Sequence, residues 1–132
     1  MTCKATGIGE ILEPIDLDLN GYWIAIVKPE VIISTKEAFS MITPKKPMTD
    51  LRNLVKLPIE TWKEHIVNDF EHSMFSLHPE ISGIKKCLYD NGAIYASMTG
   101  SGSAFFGIFR SKKDAENAIS KYDHRFKCVV EF

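Results

Sequence analysis

A ferredoxin-like α+β sandwich, a split βαβ sheet with an enlarged helical first crossover, is the fold this sequence predicts. Three observations carry the prediction. Tyr22–Val27 is a continuous apolar, β-prone run, the pattern of a central strand buried on both faces. Two more strand-like runs, 93–98 and 104–109, flank a glycine-bearing turn, and a capped helix separates them from an alternating run at 126–132. Helix signals fill most of the stretch between the first run and the second. Strand, helices, strand, strand, helix, strand is the split βαβ order.

Each element has a local reason. Residues 7–15 alternate imperfectly and read as a first strand, and Asp16–Gly21 ends in Asn20-Gly21, a hairpin signal. Pro29 ends the central strand, because proline cannot donate to a ladder. Ser34 and Glu37 have capping-box spacing ahead of a short helix through Ala38, Phe39 and Ile42, stopped before Pro44. Thr43–Asp50, with two prolines and two lysines, reads as a loop. Pro58 opens a helix in which Trp62, Ile66, Phe70 and Met74 recur every fourth residue as one apolar stripe. Pro79 opens the next, with Ile81, Ile84 and Leu88 inward and Asn91-Gly92 as its end. Ser111 caps the last helix, whose inner face is Ala115, Ala118, Ile119 and Tyr122. Phe126, Cys128, Val130 and Phe132 alternate with Lys127, Val129 and Glu131 in a half-exposed terminal strand.

Composition bounds the function. The 132 residues, 45% of them hydrophobic, suit one domain, 1–132, with a core that needs no staple. Sixteen Lys and Arg against seventeen Asp and Glu give a net charge of −1, so no nucleic-acid partner is expected. Cys3, Cys87 and Cys128 form no Cys-x-x-Cys pair and read as reduced thiols. The longest apolar run is six residues, far short of a membrane span. A cytoplasmic chain with no membrane partner is the expectation.

Four constellations could carry chemistry. Thr99-Gly100-Ser101-Gly102-Ser103 lies between two apolar strands. Its glycines permit positive φ, so successive N–H groups could converge on an anion, with hydroxyls as added donors. Turn sterics alone also explain those glycines, and carry more weight on these residues by themselves. His65, Asp69 and His72 share one face of the helix expected from Pro58, but their polar neighbours fit a solvated face better than a metal site. Ser101–Phe109 has the aromatic phrasing of an RNA-recognition strand without its leading basic residue, so Phe106 and Ile108 read as core. No nucleophile–base pair is evident, and Glu10 and Glu13 read as solvated.

Five segments in order resemble a known family. Gly7-Ile8-Gly9-Glu10-Ile11-Leu12-Glu13-Pro14 is similar to the Gly-x-Gly-Glu-x-Leu-x-Pro segment opening the second half of 4-diphosphocytidyl-2-C-methyl-D-erythritol kinases. Val27-Lys28-Pro29 with Ser34-Thr35 and Ala38-Phe39 resembles their next strand, loop and helix. Asn68-Asp69-Phe70-Glu71 and His78-Pro79-Glu80-Ile81 resemble their long helical pair. Met98–Ala104 resembles the third glycine motif of the wider GHMP kinase superfamily.

The resemblance implies a GHMP-kinase C-terminal domain and transfer of the γ-phosphoryl group of ATP, with Mg²⁺, to the 2-hydroxyl of the cytidyl-linked methylerythritol. It implies that Thr35 and Phe39 line the cytidine pocket, Phe39 stacking on the base. It places Thr99, Gly100, Ser101, Gly102 and Ser103 beside the nucleotide phosphates. The family's N-terminal half supplies the catalytic lysine, the aspartate of a Gly-Ala-Asp segment and the triphosphate loop, and none has a counterpart here. The expectation is therefore a C-terminal half truncated from a two-domain kinase, with no catalytic residue of its own and inactive alone. Tightly bound ATP or Mg²⁺ is not expected on it, and its interdomain surface should favour self-association. A free-standing ferredoxin-like module that binds or regulates through a small molecule is the alternative.

Overall fold

The computed structural model describes residues 3–6, 10–29, 36, 40, 50–99, 104–122 and 127–132. The strands are β1 (Cys3–Thr6), β2 (Ile11–Pro14), β3 (Trp23–Val27), β4 (Tyr95–Met98), β5 (Phe105–Phe109) and β6 (Lys127–Glu131). The helices are α1 (Leu51–Leu54), α2 (Trp62–His65), α3 (Glu71–Leu77), α4 (Pro79–Asp90) and α5 (Lys112–Ile119), with a 3₁₀ turn at Ile59–Thr61 before α2. Four strands form one sheet in the order β4-β5-β3-β6, every neighbour antiparallel. That is the expected split βαβ order, with the helices from α1 to α4 filling the first crossover.

The sheet is buried on two faces by different means. Ala25, Val27, Ala96, Met98, Phe105 and Phe109 face α3, α4 and α5, where Met74, Ile81, Leu88, Ala115 and Ile119 complete the main core. On the opposite face Tyr95 and Ile108 pack with Trp62, joined by Phe106, Leu17, Leu19 and Ile66. Phe106 and Ile108 are thus core residues, as expected. Tyr95 anchors this second layer: its hydroxyl donates to the Ile66 carbonyl at 2.9 Å, and its ring meets Trp62 edge-on with centroids 5.9 Å apart.

Several sequence readings need correction. The helix expected from Pro58 breaks after His65, because Ile66 adopts extended backbone. Its apolar stripe is consequently two stripes: Trp62 and Ile66 serve the second face, Phe70 and Met74 the main core. The strand read at 7–15 is Ile11–Pro14 among the described residues, and it pairs with Cys3–Thr6. No hairpin joins β2 to β3, although Gly21 does take positive φ (91°). Leu17 and Leu19, in the intervening segment, are drawn onto the second face instead. In β6 the register sets Val129 opposite buried Ala25, so Val129 packs inward and Cys128 and Val130 are exposed.

Other local signals hold. Pro79 begins α4, and Gly92 follows it at φ 101° with its N–H on the Tyr89 carbonyl. The Ser111 hydroxyl accepts from the Asp114 amide at the start of α5. Lys36 and Ser40 are helical positions, in line with the short helix expected there.

Two stability predictions follow from this packing. A Cβ on Gly107 would lie 2.9 Å from Cε2 of Phe109, which is fully buried. Overpacking of this kind costs about 1–3 kcal/mol, so Gly107→Ala should lower the denaturant midpoint with an unchanged m-value. Burial pushes the Tyr95 phenol up to about 12. The unfolded phenol, near 10, loses its proton first, so this stabilisation is full below about pH 10 and is lost as pH climbs towards the folded value. Tyr95→Phe should therefore flatten the alkaline fall in stability. It should also cost ~1 kcal/mol at neutral pH, where the Ile66 carbonyl loses its donor. Burial raises Tyr122 likewise, to about 12, so the flattening will be partial.

Candidate functional site

Strand β4 lies at one edge of the sheet and leads into the glycine-bearing stretch. On its inner side Ser97 stands opposite Phe106 and Met98 opposite Phe105, and the Thr99 amide donates to the Ala104 carbonyl at 2.8 Å. Inward and outward backbone groups alternate along an antiparallel strand, so Met98 turns its N–H and C=O to the open edge. Side chains meet them there. Asn68 Nδ2 donates to the Met98 carbonyl at 2.7 Å, and the Met98 amide donates to Glu71 Oε1 at 2.9 Å. One step back, the Tyr89 hydroxyl donates to the Ala96 carbonyl at 3.3 Å, and burial raises that phenol above its usual range.

The break between α2 and α3 puts Asn68 and Glu71 in place. The Asn68 side-chain oxygen accepts from the Phe70 amide at 2.9 Å and its carbonyl from the Glu71 amide at 3.0 Å. Asn68 thus turns the chain with an Asx-type bond and launches α3. Glu71, the first residue of α3, is 4% exposed. Its Oε1 also accepts from Ser97 Oγ at 2.9 Å, and its Oε2 takes Lys85 Nζ at 2.6 Å. A carboxylate can be buried this way because each oxygen has a donor, one of them charged.

These contacts hold the mouth of the 99–103 segment. Thr99 closes it twice on Ala104, through its amide at 2.8 Å and its Oγ1 at 3.3 Å. Gly100, Ser101, Gly102 and Ser103 lie outside the described residues, as do Thr35 and Phe39. His65 ends α2, Asp69 lies in the break and His72 belongs to α3, so no single helix face carries the three. Among the described residues no group of three His, Cys, Asp or Glu could hold a metal ion.

Reading by composition alone missed Asn68, Glu71 and Lys85, because Asn68 and Glu71 sit among charged neighbours that suggest a solvated face. The signal that could have found Asn68 and Glu71 is their own spacing, Asn68-x-x-Glu71, a capping-box spacing that marks a helix start inside the supposed long helix.

Comparison with known proteins agrees with this architecture. A family model described as GHMP kinases C terminal matches residues 50–128, from α1 into β6. A protein of Parabacteroides distasonis named 4-diphosphocytidyl-2-C-methyl-D-erythritol kinase is 53% identical over 105 residues, covering 80% of this chain and 39% of its own length. A protein of the same name from Bacteroides fragilis is 48% identical over 119 residues, covering 90% of this chain and 42% of its own. The chain thus spans about two fifths of the length of these relatives. The crystal structure of a 4-(cytidine 5'-diphospho)-2C-methyl-D-erythritol kinase superposes with a TM-score of 0.73 at 24% identity, over 89% of this chain and 44% of that one. A homoserine kinase of Cytophaga hutchinsonii gives 0.68 at 19% identity, over 91% and 44%. Among the described residues no helix is long and apolar enough to cross a membrane. On the match that runs from α1 through β4, β5 and the last helix into the start of β6, the chain belongs to the GHMP kinase family, as a C-terminal domain of that family.

Proposed function

We propose that the chain works as the C-terminal half of an ATP-dependent kinase acting on 4-diphosphocytidyl-2-C-methyl-D-erythritol, in non-mevalonate isoprenoid precursor synthesis. The observation that carries this reading is 53% identity, over 80% of the chain, to a relative named for that reaction. The reaction moves the γ-phosphoryl group of ATP to the substrate's 2-hydroxyl oxygen, leaving ADP and releasing the hydroxyl proton. Catalysis of this kind is positioning plus charge stabilisation, supplied by several groups at once. In this reading Thr35 and Phe39 line the cytidine side, and Thr99, Gly100, Ser101, Gly102 and Ser103 lie beside the nucleotide phosphates. ATP and Mg²⁺ are held through the N-terminal half, with no tight binding by this chain alone.

The described surface supports a partner domain. The β1–β2 hairpin exposes Ile11 by 49% and Leu12 by 63%. It is tied to the start of α1 by Lys4–Asp50 at 2.9 Å and by Arg52–Glu13. The Lys4 ammonium, hydrogen-bonded to Asp50, holds that carboxyl below its ordinary range. A hairpin fixed this way while offering apolar side chains to solvent suits an interface, and favours self-association when the interface is empty.

The purified 132-residue chain should give no ATP-dependent phosphorylation of the cytidyl substrate. The full chain joined behind the N-terminal portion of the Parabacteroides distasonis relative should give turnover; an inactive, folded hybrid would overturn the kinase reading. In the active hybrid, Phe39→Ala should raise KM for the cytidyl substrate and leave KM for ATP unchanged. Base–aromatic stacking is worth about 1–3 kcal/mol, or roughly five- to hundred-fold in affinity. A lower melting temperature with normal substrate KM would instead make Phe39 a core residue.

A further inference from the structure

The clamp on β4 has a chemistry more specific than edge pairing requires. Glu71 gathers three donors on one carboxylate: Ser97 Oγ and the Met98 amide on Oε1, at 2.9 Å each, and Lys85 Nζ on Oε2 at 2.6 Å. Well-packed apolar residues of similar volume often stabilise a fold as well as a buried ion pair does, so stability alone does not account for the arrangement. What a carboxylate adds is geometry. Its two oxygens fix a backbone N–H, a hydroxyl and an ammonium relative to one another. Here they fix the strand end that runs straight into Thr99, whose amide closes on Ala104 at 2.8 Å. Asn68 holds the other backbone group of the same residue, the Met98 carbonyl, at 2.7 Å. The mouth of the 99–103 segment is therefore located by α3 and the Asn68 turn, with Lys85 of α4 behind them.

We propose that Glu71, buttressed by Lys85, is a positioning residue for phosphoryl transfer: it sets the Thr99–Ala104 mouth relative to the nucleotide phosphates without touching substrate. The phosphate half of this proposal rests on the kinase reading above; the positioning half rests on the geometry just given. Two measurements separate them.

The first uses the 132-residue chain and amide hydrogen exchange. In Glu71→Gln a single acceptor oxygen cannot serve donors on both sides, and the new NH₂ group faces a donor. Exchange at the Met98 and Thr99 amides should rise by about tenfold or more, while Ala25 in β3 changes by less than about threefold. Gly107→Ala, a packing defect opposite Ala25 in the same sheet, should not raise the Thr99-to-Ala25 ratio. No acceleration at Thr99, or equal acceleration at Thr99 and Ala25, overturns the positioning role.

The second uses the hybrid kinase. Glu71→Gln should lower kcat by about tenfold or more with the cytidyl-substrate KM within about twofold, because small misplacement at a reacting site costs rate before it costs binding. Lys85→Arg should retain activity and Lys85→Met should lose part of it. Gly107→Ala, assayed well below its melting temperature, should keep kcat. Unchanged kcat in both Glu71→Gln and Lys85→Met, or an equal loss in Gly107→Ala, overturns the catalytic half. If Glu71→Gln does not fold, Lys85→Met carries both measurements. An inactive unmodified hybrid sinks the kinase reading and the phosphate half with it, while the exchange ratio still decides the positioning half.

Discussion

An edge strand with its backbone polar groups exposed is the constraint on which this structure turns. The β4 strand pairs with β5 on one side, and its other side must be satisfied by something. Proteins blunt such edges with charges, bulges or covering elements, because an open edge recruits foreign strands. This chain does it with side chains of the crossover: Asn68 and Glu71 on Met98, and Tyr89 on Ala96. Each has its own support. The Asn68 side chain also makes the turn that starts α3, Glu71 is paired with Lys85, and Tyr89 is held in α4. Removing the charged partner of the buried Glu71 carboxylate leaves that charge uncompensated, which costs more than the pair itself contributes. The edge and the crossover are thus energetically coupled, so a change in one is felt in the other.

That coupling explains why the first crossover is long and broken. A single helix can bury one stripe against one face of a sheet. This crossover serves both faces and the edge between them. Trp62 and Ile66 go to the second face, the Asn68 turn meets the edge, and Phe70 and Met74 go to the main core. The extended backbone at Ile66 is what permits the change of side. A helix running unbroken from Trp62 to Met74 would keep all four apolar residues on one stripe and could not divide them between two faces.

The same division marks what was legible in the sequence. Residues 22–27, 93–98 and 104–109 were readable because a strand buried on both faces leaves a nearly continuous apolar run, broken here only by Ser97 and Gly107, and helix ends at Gly92 and Ser111 were readable from local capping chemistry. The crossover was not. The spacing of Trp62, Ile66, Phe70 and Met74 fits one helical stripe perfectly well, and nothing in that spacing says the residues serve two cores. In β6 both alternating sets contain apolar residues, so the face was decided by register against Ala25, a long-range fact. The candidate site divides similarly. The glycines and hydroxyls of 99–103 announce a special turn by composition. Glu71 looks solvated by its neighbours, and its burial depends on donors 14, 26 and 27 residues away.

A charged group buried against local expectation is informative for that reason. Local rules price Glu71 as a surface residue, and its burial has to be offset by contacts that the rest of the fold supplies. Besides Lys85, those contacts fall on Ser97 and Met98, the last two residues before Thr99, and not on the middle of the sheet, where ordinary strand pairing suffices. Met98 itself divides the work: its side chain is buried in the main core while its backbone groups are held at the edge. A shift of α3 along the sheet would therefore disturb the core packing of Phe70 and Met74 and the placement of Thr99 together. Hydrophobic contacts tolerate sliding better than hydrogen bonds do, since bonds weaken steeply once donor and acceptor are misaligned. The polar clamp fixes the register that the apolar core alone would leave looser, and it does so at the strand end just before Thr99.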